Sequence, residues 1–449
     1  MILKFDEISN QIITKFIEVF RREMDKVTAN LSTQQAIEKL ITLPNIENQP
    51  FSIFNLSQRM FFYILTESVV KRKLSDELKQ KIFQDQVLLL WISQAAVTSL
   101  SLDMYFKAGR LTKPSKHLAI LISVYRVPFV VNYLFMQDFN AIQFLISGLS
   151  PENFLKYILF NVCPSIREKT AVSQPLCSIL SLPEFDDTLV LQQVFILIYN
   201  ALTEMRLVGQ LNDPDAYFID RRRIHMQACG YNDDSTYLAD IMQSDGESLI
   251  SSNRHTNMIK YDRIWCNTPY TSTTAQNGPT KRTSQHLNPG YPFYFLNTIE
   301  DTKKALDTLL GYYKNQVPNF ELPDVVELKS EFKGINDFMF SDAFFAFILE
   351  CFVKWYHNPE LWIADSSDLF LFILLILCLI LRVSRVRNIG DSYREKMFNF
   401  FGPHLRLENR SFLDIITNEV PNCRNPLVAA MINRFIALSQ FGMRNPTNI

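Results

Sequence analysis

An all-α, multi-helical fold is the expectation for this chain, and three observations lead to it. Only 12 of its 449 residues are glycine, well under the roughly 7% of average usage. Hydrophobic residues make up 47%, dominated by Leu, Ile and Phe, with 36 Phe alone. Apolar residues also recur at helical spacing over long stretches, which suits helices and not sheets. At this length two to three packed units are expected.

The elements follow in order. Ile8, Ile12, Phe16 and Phe20 recur every four residues and mark one apolar face of a first helix. Ser32 with Gln35 forms a capping-box signature before Ala36 to Ile41, and Pro44 stops that helix. Ser57 begins another, with Met60, Phe61, Ile64 and Leu65 on one side. Ser75, followed by Asp76 and Glu77, opens a helix leading to Trp91, its acids at the positive end of the dipole. Ser150-Pro151 is a helix start, serine as N-cap and proline at the first position, and that helix ends before Pro164. Residues 187–208 predict a single long amphipathic helix closed by Gly209 as C-cap.

The composition then changes. From about Asp245 to Pro292 the chain is rich in Ser, Thr, Asn, Pro and Gly, above all Asn267 to Gly290, which predicts an irregular connector. The expected organisation is therefore an N-terminal helical scaffold over 1–244, a connector over 245–297, and a C-terminal helical unit over 298–449. Helices resume at Thr298, whose spacing to Asp301 resembles a cap, and Asn319 to Asp324 is a second, shorter connector. Residues 341–357 and 366–387 predict two strongly apolar helices, paired as a hairpin over 341–387 around Asn358-Pro359. No repeat of fixed period is visible, so a regular solenoid is not expected.

Charge and cysteine usage narrow the function classes. The 45 basic residues are balanced by 46 acidic ones, which argues against a general nucleic-acid binder, since such proteins displace counterions with clustered Lys and Arg. Seven cysteines are scattered with no C-x-x-C, and Cys351 and Cys378 sit in apolar helical runs as small hydrophobes. A reducing, intracellular setting fits, cytoplasmic first and nuclear second. Met1 to Ile17 lacks the features of a signal peptide. The longest purely apolar run, Leu369 to Leu381, falls short of the roughly 20 residues a bilayer needs. Polar residues punctuate Gln86 to Leu102, and Arg126 interrupts 118–136, so no membrane association is expected. The end near Asn445-Pro446 is abrupt, as if more chain followed.

No catalytic, cofactor or metal site emerges. His225 and Cys229 lie four apart, with His255 and Cys266 downstream, but zinc sites use tighter ligand pairs. An ordinary histidine and a buried thiol on one helix face are the expectation. No G-x-S-x-G, H-E-x-x-H or P-loop is present. Asp213 and Asp215 resemble a D-x-D metal motif, yet their setting around Pro214 predicts a plain turn. Arg221, Arg222 and Arg223 form the one dense basic run. It is either a docking site for an acidic partner or phosphate, or a solvated helix face partnered by Asp220 and by Asp233 or Asp234. The second is preferred. The N-x-S triplets at Asn30, Asn55 and Asn409 are expected to be chance.

One resemblance enters on ordered landmarks. The helix Thr188 to Gly209 ends in Met205-Arg206 and Gly209; Tyr217-Phe218 follow, then Asp220 to His225 and Met226-Gln227-Ala228-Cys229. Tyr291 to Gln316 carries Tyr294, Asp301, Ala305, Leu306 and Tyr312-Tyr313, and Ser341 to Arg382 carries the apolar pair. This order is similar to the central helical region of the UBR-box (N-recognin) family of E3 ubiquitin-protein ligases, and its shorter connectors resemble the type-3 branch more than the types that carry a long winged-helix insertion. It covers roughly residues 95–440. The family's Cys/His-rich UBR box and RING domain, both dense in zinc ligands, have no counterpart here, so no zinc is expected in this chain. The resemblance implies a scaffold portion of such a ligase, acting in ubiquitin-dependent degradation of the N-degron pathway, with an E2 and degradation substrates as protein partners. A generic helical adaptor and a helical membrane-associated protein are the alternatives.

Overall fold

The computed structural model describes residues 2–43, 56–71, 74–109, 125, 134–186, 188–229, 293–296, 299–312, 322–357, 368–387, 415–416 and 426–442. Among these the architecture is all-α, and the β contact found is an isolated antiparallel bridge between Gly209 and Leu328. Of the 245–297 connector only 293–296 is described; His255, Cys266, Asp233, Asp234, Asn55, Asn409, the Asn358-Pro359 turn and Asn445-Pro446 lie outside.

Helix α1 (Ile2–Thr28) packs through Ile13, Ile17, Phe20 and Met24, not through the whole row expected from Ile8. Ile8 and Ile12 face outward, so α1 carries apolar residues on two sides. Phe16 and Phe20 meet Phe61 at 5.9 and 5.5 Å. Asn30 turns the chain with φ 66°, a conformation asparagine tolerates. Ser32 and Gln35 then form the reciprocal capping box at 3.3 and 3.0 Å that opens α2 (Thr33–Thr42). On α3 (Leu56–Val70) Phe61, Phe62 and Leu65 face the core while Met60, expected beside them, is exposed.

The helix expected from Ser75 to Trp91 is two helices. Ser75 caps α4 (Asp76–Phe83), and Asp85 caps α5 (Gln86–Lys107) by accepting from the Leu88 N–H at 2.9 Å. An acidic N-cap outweighs continuity, because it satisfies an orphan N–H group at a new helix start. Helix α5 is a central pillar, buried along Leu88 to Met104 and packed on α6 (Met136–Gly148), on α7 (Pro151–Val162) and on α2. Ser150 caps α7, as expected, by accepting from Asn153 N–H.

After α8 (Leu176–Leu180), the long helix expected over 187–208 breaks at Glu204 into α9 (Thr188–Thr203) and α10 (Met205–Val208). Glu204 has extended backbone (φ −82°, ψ 113°) and its carboxylate accepts from Arg206 N–H at 3.2 Å. Gly209 is no left-handed cap; it is extended and pairs with Leu328. Glycine is required there for closeness, since a Cβ would lie 2.8 Å from the Met205 carbonyl oxygen. Helix α11 (Pro214–Ala228) follows.

The later helices join the same core. They are α12 (Ile299–Tyr312), α13 (Gly334–Met339), α14 (Asp342–Tyr356), α15 (Asp368–Val386) and α16 (Pro426–Gly442). Phenylalanines link early and late elements: Phe83 with Phe332 (5.2 Å), Phe139 with Phe295 (4.0 Å), Phe154 with Phe338 (5.1 Å) and Phe195 with Phe347 (5.1 Å). Helix α15 is buried on every side along Leu369 to Leu381, as expected of a helix apolar all round. Its Phe370 stacks on Trp355 of α14 at 4.2 Å, and its main neighbours are α16 and α9. Residues 322–329, part of which was expected to be a loose connector, form an extended strap bound to α10. Lys329 Nζ donates to Leu207 O (2.7 Å), Lys329 N to Val208 O (2.9 Å) and Gln210 N to Glu327 O (2.7 Å).

Three helical stretches, Gln86–Lys107, Thr188–Val208 and Leu369–Val386, are long and apolar enough to cross a membrane by length and composition. Helix length, not the uncharged run, sets that reach. In the fold 83% of each apolar window is buried against protein.

Candidate functional site

The landmarks of the sequence converge on one buried polar cluster. The break between α9 and α10 turns the Glu204 carboxylate inward, where burial raises its pKa against the pull of Arg221. Arg221 of α11 reaches it with Nε 4.0 Å from Oε2, and Tyr294 Oη donates to the same oxygen at 3.5 Å. The guanidinium of Arg221 also lies 5.9 Å from the Tyr294 ring centre, a cation–π contact. His225, one turn along α11, stacks on Tyr294 with ring centres 3.8 Å apart. Its Nδ1 lies 2.6 Å from the Arg221 carbonyl oxygen, so that nitrogen carries the proton, and its buried Nε2 has no hydrogen-bond partner among the described residues. Burial, then the Arg221 charge, hold its pKa well below the ordinary histidine range.

The surrounding polar atoms are held by backbone. Asn200 Nδ2 donates to Phe293 O (2.9 Å) and its Oδ1 accepts from Phe295 N (3.2 Å), which clamps 293–296 onto α9. Gln143 Nε2 donates to Ala201 O and Glu204 O at 2.9 and 2.7 Å, fixing the carbonyls released by the break. Arg206 is shared between Asp215 at 2.9 Å and Glu67 at 3.7 Å, and covers the Phe218 ring.

The residues singled out from sequence take structural roles. Asp213 accepts from Ala216 N–H at 2.9 Å and so opens α11, with Pro214 at its first turn; Asp215 is the Arg206 partner. Both readings of the arginine run put it at the surface, yet Arg221 faces the cluster and Arg222 is buried. Burial, with Asp301 nearby, pushes the Cys229 thiol up to about 12, far from the thiolate form that metals and electrophiles need. Among the described residues no group of three His, Cys, Asp or Glu is placed to hold a metal ion. The cluster has no signature in sequence spacing, because Tyr294 is 90 residues from Glu204.

A second buried pair lies deeper. Arg59 donates to both carboxylate oxygens of Asp138 at 3.1 and 2.9 Å and to Ser99 Oγ at 2.7 Å, while Tyr125 Oη donates to Asp138 Oδ2 at 2.7 Å. This joins α3, α5 and α6 with a bidentate charge-assisted contact.

Among the described residues an open groove of about 1120 Å³ runs along α1, lined by Ile8, Ile12, Phe16, Val19, Leu78 and Trp91.

No protein-family model and no curated protein matches the chain. The fold defines a class, an all-α helical body, and nothing narrower.

Proposed function

We propose that the chain is a helical scaffold of the kind that lies between the substrate-binding and RING ends of UBR-family ubiquitin ligases. It acts in ubiquitin-dependent degradation by holding protein partners, an E2 and degradation substrates, at a set spacing. The bond-making belongs to other domains or partners, where the zinc also belongs. A rigid body works here through effective concentration: it holds substrate near a charged E2 without touching the reacting atoms.

The observation that supports this reading is the meeting of the three stretches on which the resemblance rests. Arg206, Arg221 and His225 come from the first and Tyr294 from the second, joined in one cluster. Phe293 then packs edge-on against Phe372 of the third at 4.6 Å. A generic helical adaptor is the second reading, favoured by the open groove on α1, which lies outside the stretch of resemblance.

Sequencing the transcript on both sides of this reading frame tests the proposal. Cysteine and histidine clusters with zinc spacing, encoded in the same product, are the expected result. A gene product and stable partners wholly without such clusters would leave the ligase reading without support and favour the adaptor.

A further inference from the structure

Helix α11 is docked largely through polar side chains. Among the described side chains from Pro214 to Cys229, the buried ones are Phe218, Arg222, His225 and Cys229, an i, i+4, i+7, i+11 stripe along one face. Two of those four are a guanidinium and an imidazole. Helix α9, by contrast, buries Val190, Leu191, Val194, Phe195 and Ile198. Asp215 holds α11 to Arg206 at 2.9 Å, Arg221 to Glu204 at 4.0 Å, and the His225 ring to Tyr294 at 3.8 Å. An element with few buried apolar contacts opens at a lower free energy than the whole fold. Its 15 residues alone make a helix that is marginal in water.

His225 is the contact that answers to protons. Its Nδ1 gives its hydrogen to the Arg221 carbonyl, so a second proton goes to Nε2, which is buried without a partner among the described residues. The charge that acts on the imidazole is Arg221, of the same sign. Arg222 of the same helix acts on Tyr294, and the Tyr294 O–H is turned to Glu204. From α9, α10 and the start of α11, Tyr199, Arg206 and Tyr217 surround Arg221 and Glu204. From α12, Asp301 and Lys304 act with opposite sign on Cys229, one turn further along. A buried charged donor without an acceptor is costly where it stands, and water relieves it.

We propose that α11 is an acid-released helix with His225 as its trigger: protonation at Nε2 undocks α11 from Tyr294 and Glu204 while the apolar core stays folded. In the undocked helix the imidazole meets water and protonates at about 6.5. Below that pH the undocked state holds the extra proton, so undocking is favoured by up to about tenfold per pH unit. Glu204 opposes it, since burial favours its neutral form and undocking exposes it. The inference holds whether or not the ubiquitin reading does, and describes a body closed at neutral pH and locally open in acid.

Hydrogen exchange of the full chain, read by mass spectrometry at pH 7.5, 6.5 and 5.5 and corrected for intrinsic rates, tests the proposal. Amides of α11 are compared with those of α5, in the native chain and in His225→Phe. Glu204 is present in both proteins, so their difference isolates the histidine. Helix α11 is expected to exchange ahead of α5 at every pH. From pH 6.5 to 5.5 its opening is expected to rise by up to about tenfold more in the native chain than in the variant. Should His225→Phe not fold, His225→Asn replaces it, keeping a donor for the Arg221 carbonyl without a group that titrates. Exchange of α11 and α5 together would mean that only the whole fold opens. Equal pH dependence in native chain and variant would mean that His225 is not the trigger; either result overturns the proposal.

Discussion

The imidazole of His225 lies nearly parallel to the phenol ring of Tyr294, with centres 3.8 Å apart and planes 18° from parallel. His225 comes from α11 and Tyr294 from 293–296, the described end of the expected connector, and their contact closes the cluster around Glu204. Double substitution measures it. His225→Ala and Tyr294→Ala are each expected to destabilise, and the cycle to show a favourable coupling of about 1 kcal/mol in denaturant unfolding. Additive losses would mean that the rings are neighbours without interaction.

The same histidine makes stability depend on pH. Burial first, and then the Arg221 charge, depress its folded pKa, while its bond to the Arg221 carbonyl opposes them. In the unfolded chain it protonates near about 6.5. Below that pH the unfolded state holds the extra proton, so stability is lost as pH falls, by up to about 1.4 kcal/mol per pH unit. Glu204 and Asp138 act in the opposite sense: burial raises both, so what they contribute is present at low pH and lost as pH rises through their folded pKa. Comparing the native chain with His225→Phe separates the two. Between pH 7.5 and 5.5 the native chain is expected to lose more stability than the variant, and parallel pH profiles would contradict the assignment.

Arg59 and Asp138 are nearly inaccessible, at 5% and 1% side-chain exposure. Arg59→Ala or Asp138→Ala leaves the other charge buried alone, an expected loss of about 3–5 kcal/mol by urea denaturation. The double replacement Arg59→Met/Asp138→Leu is expected to be milder than either, because no unpaired charge remains. A double variant as damaged as the sum of the singles would count against that explanation.

Gly334 is fixed by space. A Cβ there would lie 1.9 Å from the Ser147 carbonyl oxygen, a backbone atom that cannot swing aside. Gly334→Ala is therefore expected to cost about 1–3 kcal/mol or more by the same assay. An unchanged midpoint would show that α13 and α6 approach less closely.

The fold class and several helix starts were legible in sequence because they depend on near neighbours. Ser32 with Gln35, Ser75, and Ser150 with Pro151 act within three residues, and the structure has each in its capping role. The breaks at Asp85 and Glu204 were not read from the sequence, since apolar residues resume past the polar Gln84-Asp85-Gln86 and past Glu204. At Glu204 the break is held by remote groups, Gln143 on its carbonyl and Arg221 and Tyr294 on its carboxylate. The inward turn of Arg221 had no local signal either, because a dense basic run reads as surface when Tyr294 is not in view. On α1 the periodicity was correct and its row held only in its second half, where Phe16 and Phe20 pack on the core while Ile8 and Ile12 face outward. The buried set, Ile13, Ile17, Phe20 and Met24, is offset from the row read in sequence, and what packs against the helix, here Phe61 of α3, decides which residues enter the core.

The central claim is that this body holds partners in a ubiquitin ligase without making bonds. It is tested most directly by assaying ubiquitin transfer from a charged E2 with two samples side by side. One is the protein immunoprecipitated from its native cell with everything that accompanies it; the other is the purified 449-residue chain. Transfer by the immunoprecipitate and none by the chain alone is the predicted result. Transfer by the chain alone would contradict the scaffold, and no transfer by the immunoprecipitate with any E2 would contradict the ligase.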